Sequence, residues 1–126
     1  MYLIFDTSIL IELERGNREI IAKINEIRKI YPTPAKISFI SYFEFLYGLK
    51  EKSEKNKEKA LAFIEKFSIL QTTKITTNNL VALKAKYEFP LADLLIAAQT
   101  MEESAILLTK DKDFEDIEEI DKIILS

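Results

Sequence analysis

Residues 2–8 of the chain read YLIFDTS, four apolar side chains followed by three polar ones. An uninterrupted apolar run of this length is typical of a β-strand that is buried on both faces. The side chains of Asp6, Thr7 and Ser8 end that strand and favour the start of a short helix near Ile9. The segment therefore predicts a strand-to-helix transition with an acid at the carboxyl end of the strand.

The rest of the chain repeats this alternation of apolar strands and amphipathic helices. We expect further strands at residues 37–40, 69–70, 105–108 and 123–125, and helices at residues 9–13, 18–31, 41–50, 54–67, 77–87 and 92–102. This order is typical of an α/β protein in which helices cover both faces of a parallel sheet. We therefore expect residues 1–126 to form one domain, a three-layer α/β/α fold with a short, mostly parallel central sheet.

The composition excludes several kinds of active site. Among 126 residues there is no His and no Cys, so a Ser-His-Asp triad, a thiol nucleophile and a thiolate metal site are absent. Two glycines are too few for a phosphate-binding glycine loop. The net charge of −3 gives no basic nucleic-acid footprint, and no apolar run is long enough for a membrane span. We expect a cytoplasmic protein that works through carboxylates, hydroxyls, Lys, Arg or an oxygen-bound metal.

Four acids stand where a strand gives way to a helix or turn, and each has an ordinary structural explanation. Asp6 can cap the helix that follows it. Glu44 comes three residues after Ser41, the spacing of a capping box. Asp93 lies in the first turn of a predicted helix, where the helix dipole favours an acid, and Asp111 lies in a polar turn.

Taken together, the four acids favour a metal site. In a parallel sheet such positions lie along one edge, so these side chains are expected to converge. Two carboxylates about 4 Å apart repel by roughly 4 kcal/mol at an effective dielectric constant near 20, so a cluster requires protonation or a cation. Because the chain offers no nitrogen or sulfur ligands, Mg²⁺ or Mn²⁺ is the expected ion.

Three segments beyond residues 2–8 carry a family resemblance: the helix with Glu44, the stretch DLLIAA that begins at Asp93, and the turn TKDKDF at residues 109–114. In this order they resemble a PIN domain, and most of all the small VapC-type ribonuclease toxins of toxin–antitoxin pairs. The resemblance covers essentially the whole chain. It implies a PIN-like fold and a metal-dependent endoribonuclease with one or two Mg²⁺ or Mn²⁺ ions.

The resemblance also implies the site residues and the partners. The acids that would hold the metal and act in catalysis are Asp6, Glu44, Asp93 and Asp111, with Asp113 as the alternative to Asp111. The hydroxyls that would orient carboxylates or water are Thr7, Ser8 and Thr109. The implied partners are an RNA substrate and a cognate antitoxin protein.

Two surfaces around the site have open interpretations. The lysines from Lys50 to Lys59 alternate with glutamates, which is typical of a solvated helix face, although they could also contact RNA phosphates, as could Arg15, Arg18 and Lys36. The helix that carries Glu44 is apolar nearly all round, so part of it is expected to form a homodimer or antitoxin interface. The candidate interface residues are Tyr42, Phe43, Phe45 and Tyr47.

Two alternatives stay open on the sequence alone. The chain could be a catalytically silent α/β interaction module in which the acids serve only as helix caps. It could also be another PIN-type RNA-processing nuclease, although such enzymes usually have longer chains. A response-regulator receiver is disfavoured because the strand at residues 2–5 is followed by one acid rather than an adjacent pair.

Overall fold

The protein is described by a computed structural model that covers residues 1–126. Five strands form one sheet: β1 Leu3–Phe5, β2 Lys36–Ser38, β3 Ser68–Leu70, β4 Ile106–Thr109 and β5 Asp121–Ile124. Their order across the sheet is β3-β2-β1-β4-β5, and all neighbouring strands are parallel. The predicted α/β class with a parallel central sheet is confirmed.

Six α-helices surround the sheet: α1 Thr7–Arg15, α2 Arg18–Ile30, α3 Phe39–Gly48, α4 Glu54–Ile64, α5 Lys74–Lys86 and α6 Leu91–Glu103. Two short 3-10 helices follow α3 and β4, at Leu49–Glu51 and Lys112–Asp116. None of the helices combines the length and the apolar character that crossing a membrane requires.

The side chains of the central strands alternate between two apolar cores, one on each face of the sheet. Leu3 and Phe5 of β1 pack into the core that contains residues of α1, α2 and α4. Ile4, between them, packs into the opposite core with residues of α5 and α6. Because both faces are covered by helices, β1 is apolar at every position, as the continuous run in the sequence predicted.

The order in which the chain forms its strands changes sides at β1. From β1 it passes to β2 and then β3 on one side, and from β3 it crosses to β4 on the other side of β1. The carboxyl ends of β1 and β4 therefore lie next to each other at the point where the connections diverge. In open parallel sheets, this is where ligands bind.

Two predicted boundaries are wrong for identifiable reasons. The strand predicted for residues 37–40 ends at Ser38, whose hydroxyl accepts a hydrogen bond from the Ile40 backbone N–H at 3.2 Å and caps α3. Helix α5 begins at Lys74 rather than Thr77, because Thr73 and Thr76 form a reciprocal capping box. In both places a side-chain cap determines where the helix starts, and such a cap cannot be detected from the apolar periodicity of the sequence.

Candidate active site

Asp6 is the most buried acid of the site, with 5% of its surface exposed. It follows β1 directly and caps α1, and its Oδ1 accepts hydrogen bonds from the Ile9 backbone N–H at 3.2 Å and from Ser8 Oγ at 2.5 Å. Its Oδ2 accepts a hydrogen bond from Thr109 Oγ1. Burial raises the pKa of Asp6, and these three hydrogen bonds oppose the rise. The capping role expected from the sequence is present, but it uses only one of the two carboxylate oxygens.

The hydroxyls of Ser8 and Thr109 join Asp6 to the turn that carries Asp111. Besides donating to Asp6, Ser8 Oγ accepts a hydrogen bond from the Lys110 backbone N–H at 3.1 Å. Thr109 Oγ1 likewise accepts one from the Asp111 backbone N–H at 2.9 Å. Each hydroxyl therefore has a donor and an acceptor partner, which fixes its orientation and the position of the Asp6 carboxylate.

Glu44 lies on the exposed surface of α3, and its position has no capping function. Ser38 is the cap of this helix, while Ser41 is buried inside it, so the alternative explanation of Glu44 as part of a capping box with Ser41 is wrong. The Glu44 carboxylate instead accepts a hydrogen bond of 2.6 Å from Thr7 Oγ1, at the start of α1. This contact holds the acid on α3 close to the residue that follows Asp6.

Asp93 lies in the first turn of α6, where no side chain caps the helix. Its pKa is raised to about 6, first because burial disfavours the charged form, and then because Asp111, Glu44, Asp6 and Asp113 add negative charge around it. The charge of Asp93 on α6 thus interacts with acids from three other segments of the chain.

Asp111 and Asp113 differ in their relation to the other acids. Asp111 caps the 3-10 helix that follows β4, and its Oδ1 accepts a hydrogen bond of 2.9 Å from the Asp113 backbone N–H. Among the neighbouring charges that raise the pKa of Asp93, Asp111 acts most strongly and Asp113 least. Asp111 also raises the pKa of the buried Asp6, whereas Asp113 is exposed. These charge interactions favour Asp111 over Asp113, and the assignment of Asp111 as the fourth acid stays a prediction.

The sequence model of the PIN domain matches residues 3–120 of the chain. The chain belongs to the PIN-domain family. No curated protein sequence matches this PIN domain.

Several solved structures have the same fold along nearly the whole chain. VapBC2 from Rickettsia felis, bound to a DNA fragment from its promoter, aligns with a TM-score of 0.84 and 20% identity over 100% of both chains. VapBC-1 from nontypeable Haemophilus influenzae aligns with a TM-score of 0.81 and 22% identity over 98% of both chains. A toxin–antitoxin complex from Klebsiella pneumoniae aligns with a TM-score of 0.76 and 27% identity over 94% of both chains. The family match and these three alignments confirm the predicted PIN-like fold.

The acids of this PIN domain share one electrostatic environment but do not form a closed ligand set. No three of them lie close enough together to hold one ion with the side chains as placed. The sequence predicted closer convergence than this. The chemistry of the donor set nevertheless fits a hard divalent cation, because every ligand is a carboxylate and the negative charge around Asp93 raises its pKa. Lys110, which precedes Asp111, has its Nζ 3.9 Å from Glu12.

The four aromatic interface candidates on α3 separate into core and surface. Phe45 is 6% exposed and packs against Phe63 with ring centroids 5.8 Å apart, so its place among the interface candidates is wrong. Tyr42 is half-buried and donates a hydrogen bond of 2.9 Å to Glu65. Phe43 and Tyr47 are 57% and 59% exposed, and their rings stack with centroids 5.9 Å apart.

Proposed function

We propose that this PIN domain is a metal-dependent endoribonuclease and the toxin of a toxin–antitoxin pair. The observation that carries the proposal is the environment of Asp93, whose pKa is raised first by burial and then by acids that follow β1, lie on α3 and lie in the turn after β4. Helix caps that served only their own helices would have no reason to share one charge environment. Strongly perturbed carboxylates at a sheet edge are typical of functional sites.

The chain's residues have distinct tasks in the proposed reaction. Asp6, Glu44, Asp93 and Asp111 would hold Mg²⁺ or Mn²⁺, as one or two ions. A bound divalent cation supplies Lewis-acid activation of water and charge stabilisation at the scissile phosphate. The hydroxyls of Ser8 and Thr109 fix the Asp6 carboxylate, and the hydroxyl of Thr7 positions Glu44. The acidic net charge of −3 is compatible with an RNA substrate, because the cation offsets the acids beside the phosphate.

An antitoxin partner and a homodimer are part of the same proposal. The 27% identical structure from Klebsiella pneumoniae is a toxin–antitoxin complex, and it supports a protein partner for this chain. Phe43 and Tyr47 form the homodimer contact, since two stacked aromatic rings that are more than half exposed are unusual on a monomer surface. They flank Glu44 on α3, so the contact lies beside the acidic site.

Cleavage of RNA by matched proteins tests the proposed activity. A pool of tRNA and single-stranded RNA is incubated with the wild type and with Asp93→Asn, each in Mg²⁺, in Mn²⁺ and in EDTA. The proposal predicts cutting by the wild type that requires metal and is lost in Asp93→Asn, which also exposes any contaminating nuclease. Equal behaviour of the two folded proteins would refute the activity and favour an interaction module with the acids as caps.

A further inference from the structure

A groove of about 160 Å³ lies between α1 and α3 and opens beside the acidic site. Its apolar part is formed by Ile11, Phe45 and Leu49, and Glu44 lies on its wall. A ligand in this groove would therefore be next to one of the acids proposed to hold the metal. The proposed function does not use the groove.

Gly48 keeps this groove open, and neither its backbone nor the packing around it requires a glycine. It is the last residue of α3, with φ −67° and ψ −15°, a conformation that every L-residue adopts in a helix. A Cβ atom built on it would have no neighbour within 4 Å. No steric requirement for glycine is therefore present at this end of α3. The space that a larger side chain would fill is the groove itself.

Along the groove, the basic side chains are more exposed to solvent than their acidic partners. Arg15 lies 3.8 Å from Glu12, and Lys52 lies 3.5 Å from Glu14. The side chains of Arg15 and Lys52 are 68% and 34% exposed, whereas those of Glu12 and Glu14 are 13% and 16% exposed. Arg15 can turn to an anionic ligand, because Glu12 keeps a hydrogen bond from Asn17 and lies 3.9 Å from Lys110 Nζ. Lys52 can contact the same ligand while it stays near Glu14.

We propose that the groove is the subsite for one nucleotide of single-stranded RNA adjacent to the cleaved phosphodiester. The base lies on the apolar floor against the bare backbone of Gly48, and Arg15 and Lys52 bind the neighbouring phosphate. This inference rests on the proposed ribonuclease function and deepens it. An apolar slot next to an arginine is the combination that unstacked bases and their phosphates use.

A helical segment of a protein partner fits the groove less well. An amphipathic helix needs several apolar anchors spaced along a long groove. Here only Ile11, Phe45 and Leu49 are apolar. The other lining side chains are charged: Arg15, Lys52, Glu14 and Glu44. The small volume favours a single base, and the exposed guanidinium of Arg15 at the groove is available to its phosphate.

Filling the groove is the first arm of the test. Gly48→Leu and Gly48→Ala are made in the Asp93→Asn background, which keeps RNA intact, and binding of a fluorescent single-stranded RNA is followed by anisotropy. We expect Gly48→Leu to weaken binding at least tenfold and Gly48→Ala to change it less than threefold. Thermal melting checks the fold, and both variants are expected to melt no lower than their parent.

Salt dependence is the second arm and does not require any change at Gly48. Each phosphate contact to single-stranded RNA contributes about 0.7 to the slope of log K against log salt concentration. Arg15→Gln and Lys52→Gln are each expected to lower that slope by about 0.7. The matched control Lys84→Gln changes an exposed lysine on α5, which packs on the opposite face of the sheet, and is expected to leave the slope unchanged.

The outcomes separate this inference from the function on which it rests. If the wild type cuts RNA with metal, but Gly48→Leu binds RNA as its parent does, the nucleotide subsite is refuted and the ribonuclease stands. If Gly48→Leu loses its antitoxin but not RNA, the groove belongs to a protein partner and the inference is overturned. If the wild type neither cuts nor binds RNA, both proposals fall.

Discussion

Replacement of Asp93 by asparagine is expected to stabilise the metal-free protein at pH 8. The pKa of Asp93 is about 6 in the folded protein, against an ordinary value of 3.8. Since the folded-state pKa is raised, folding favours the protonated form, and this stability is present below about pH 4 and lost as the pH rises through 6. At pH 8 the wild type therefore carries a buried-charge penalty that asparagine removes.

The size of the effect follows from the same two pKa values. A difference between about 6 and 3.8 corresponds to about 3 kcal/mol, at about 1.36 kcal/mol for each pH unit. Because Asp93 is only half-buried, solvent screening reduces the expected gain to roughly 1–2 kcal/mol. For a chain of 126 residues, that gain raises the melting temperature by roughly 3–8 °C.

Urea and thermal unfolding in EDTA, at pH 4 and pH 8, measure this gain. The control is Asp121→Asn. Asp121 is an exposed acid at the amino end of β5, whereas the candidate site lies at the carboxyl ends of the strands. It is expected to change the free energy of unfolding by less than about 0.5 kcal/mol. Asp93→Asn should gain at pH 8 and little at pH 4. A loss of stability at pH 8, or an equal gain at both pH values, would refute the charge cluster around Asp93.

Three further perturbations follow from the contacts around the site. Thr109→Val removes the hydroxyl that donates a hydrogen bond to the buried Asp6, and it should lower the free energy of unfolding by about 1–3 kcal/mol. Urea unfolding measures this loss, and an unchanged value would argue against that contact. Glu44→Gln should abolish metal-dependent RNA cleavage with little change in melting temperature, because Glu44 is exposed, and retained cleavage would remove it from the site. The double variant Phe43→Ser and Tyr47→Ser should be monomeric by sedimentation at a concentration where the wild type is a dimer, whereas equal masses would exclude this contact.

The sheet edge that carries the candidate site was predictable from one local signal and from the topology of the sheet. The apolar run at residues 2–5 identifies β1, and parallel topology places Asp6 and Asp111 at adjacent strand ends. The start of α3 was not predictable in the same way. Phe39 and Ile40 continue the apolar run of β2, so the sequence pattern assigns them to the strand. In the structure they begin α3, where the Ser38 hydroxyl accepts a hydrogen bond from the Ile40 backbone N–H.

Tertiary proximity accounts for what the sequence did not reveal about the site. The bridging role of Ser8 and Thr109 depends on the register of β1 against β4, which places residues more than 100 positions apart in contact. Because α3 is apolar on nearly every side, all four of its aromatic residues were interface candidates, and the structure buries Phe45. The open space beside Gly48 exists only once α1 and α3 are packed together.

Mn²⁺ binding to the purified protein is the most direct test of the proposed site, because the acids are proposed to bind one or two cations together. The wild type, Asp93→Asn and Asp121→Asn are titrated with Mn²⁺ while the signal of free Mn²⁺ is followed by electron paramagnetic resonance. We expect one or two ions per chain in the wild type and in Asp121→Asn, and at least tenfold weaker binding in Asp93→Asn. Equal binding by all three proteins, or none up to millimolar Mn²⁺, would contradict a metal site built on these acids.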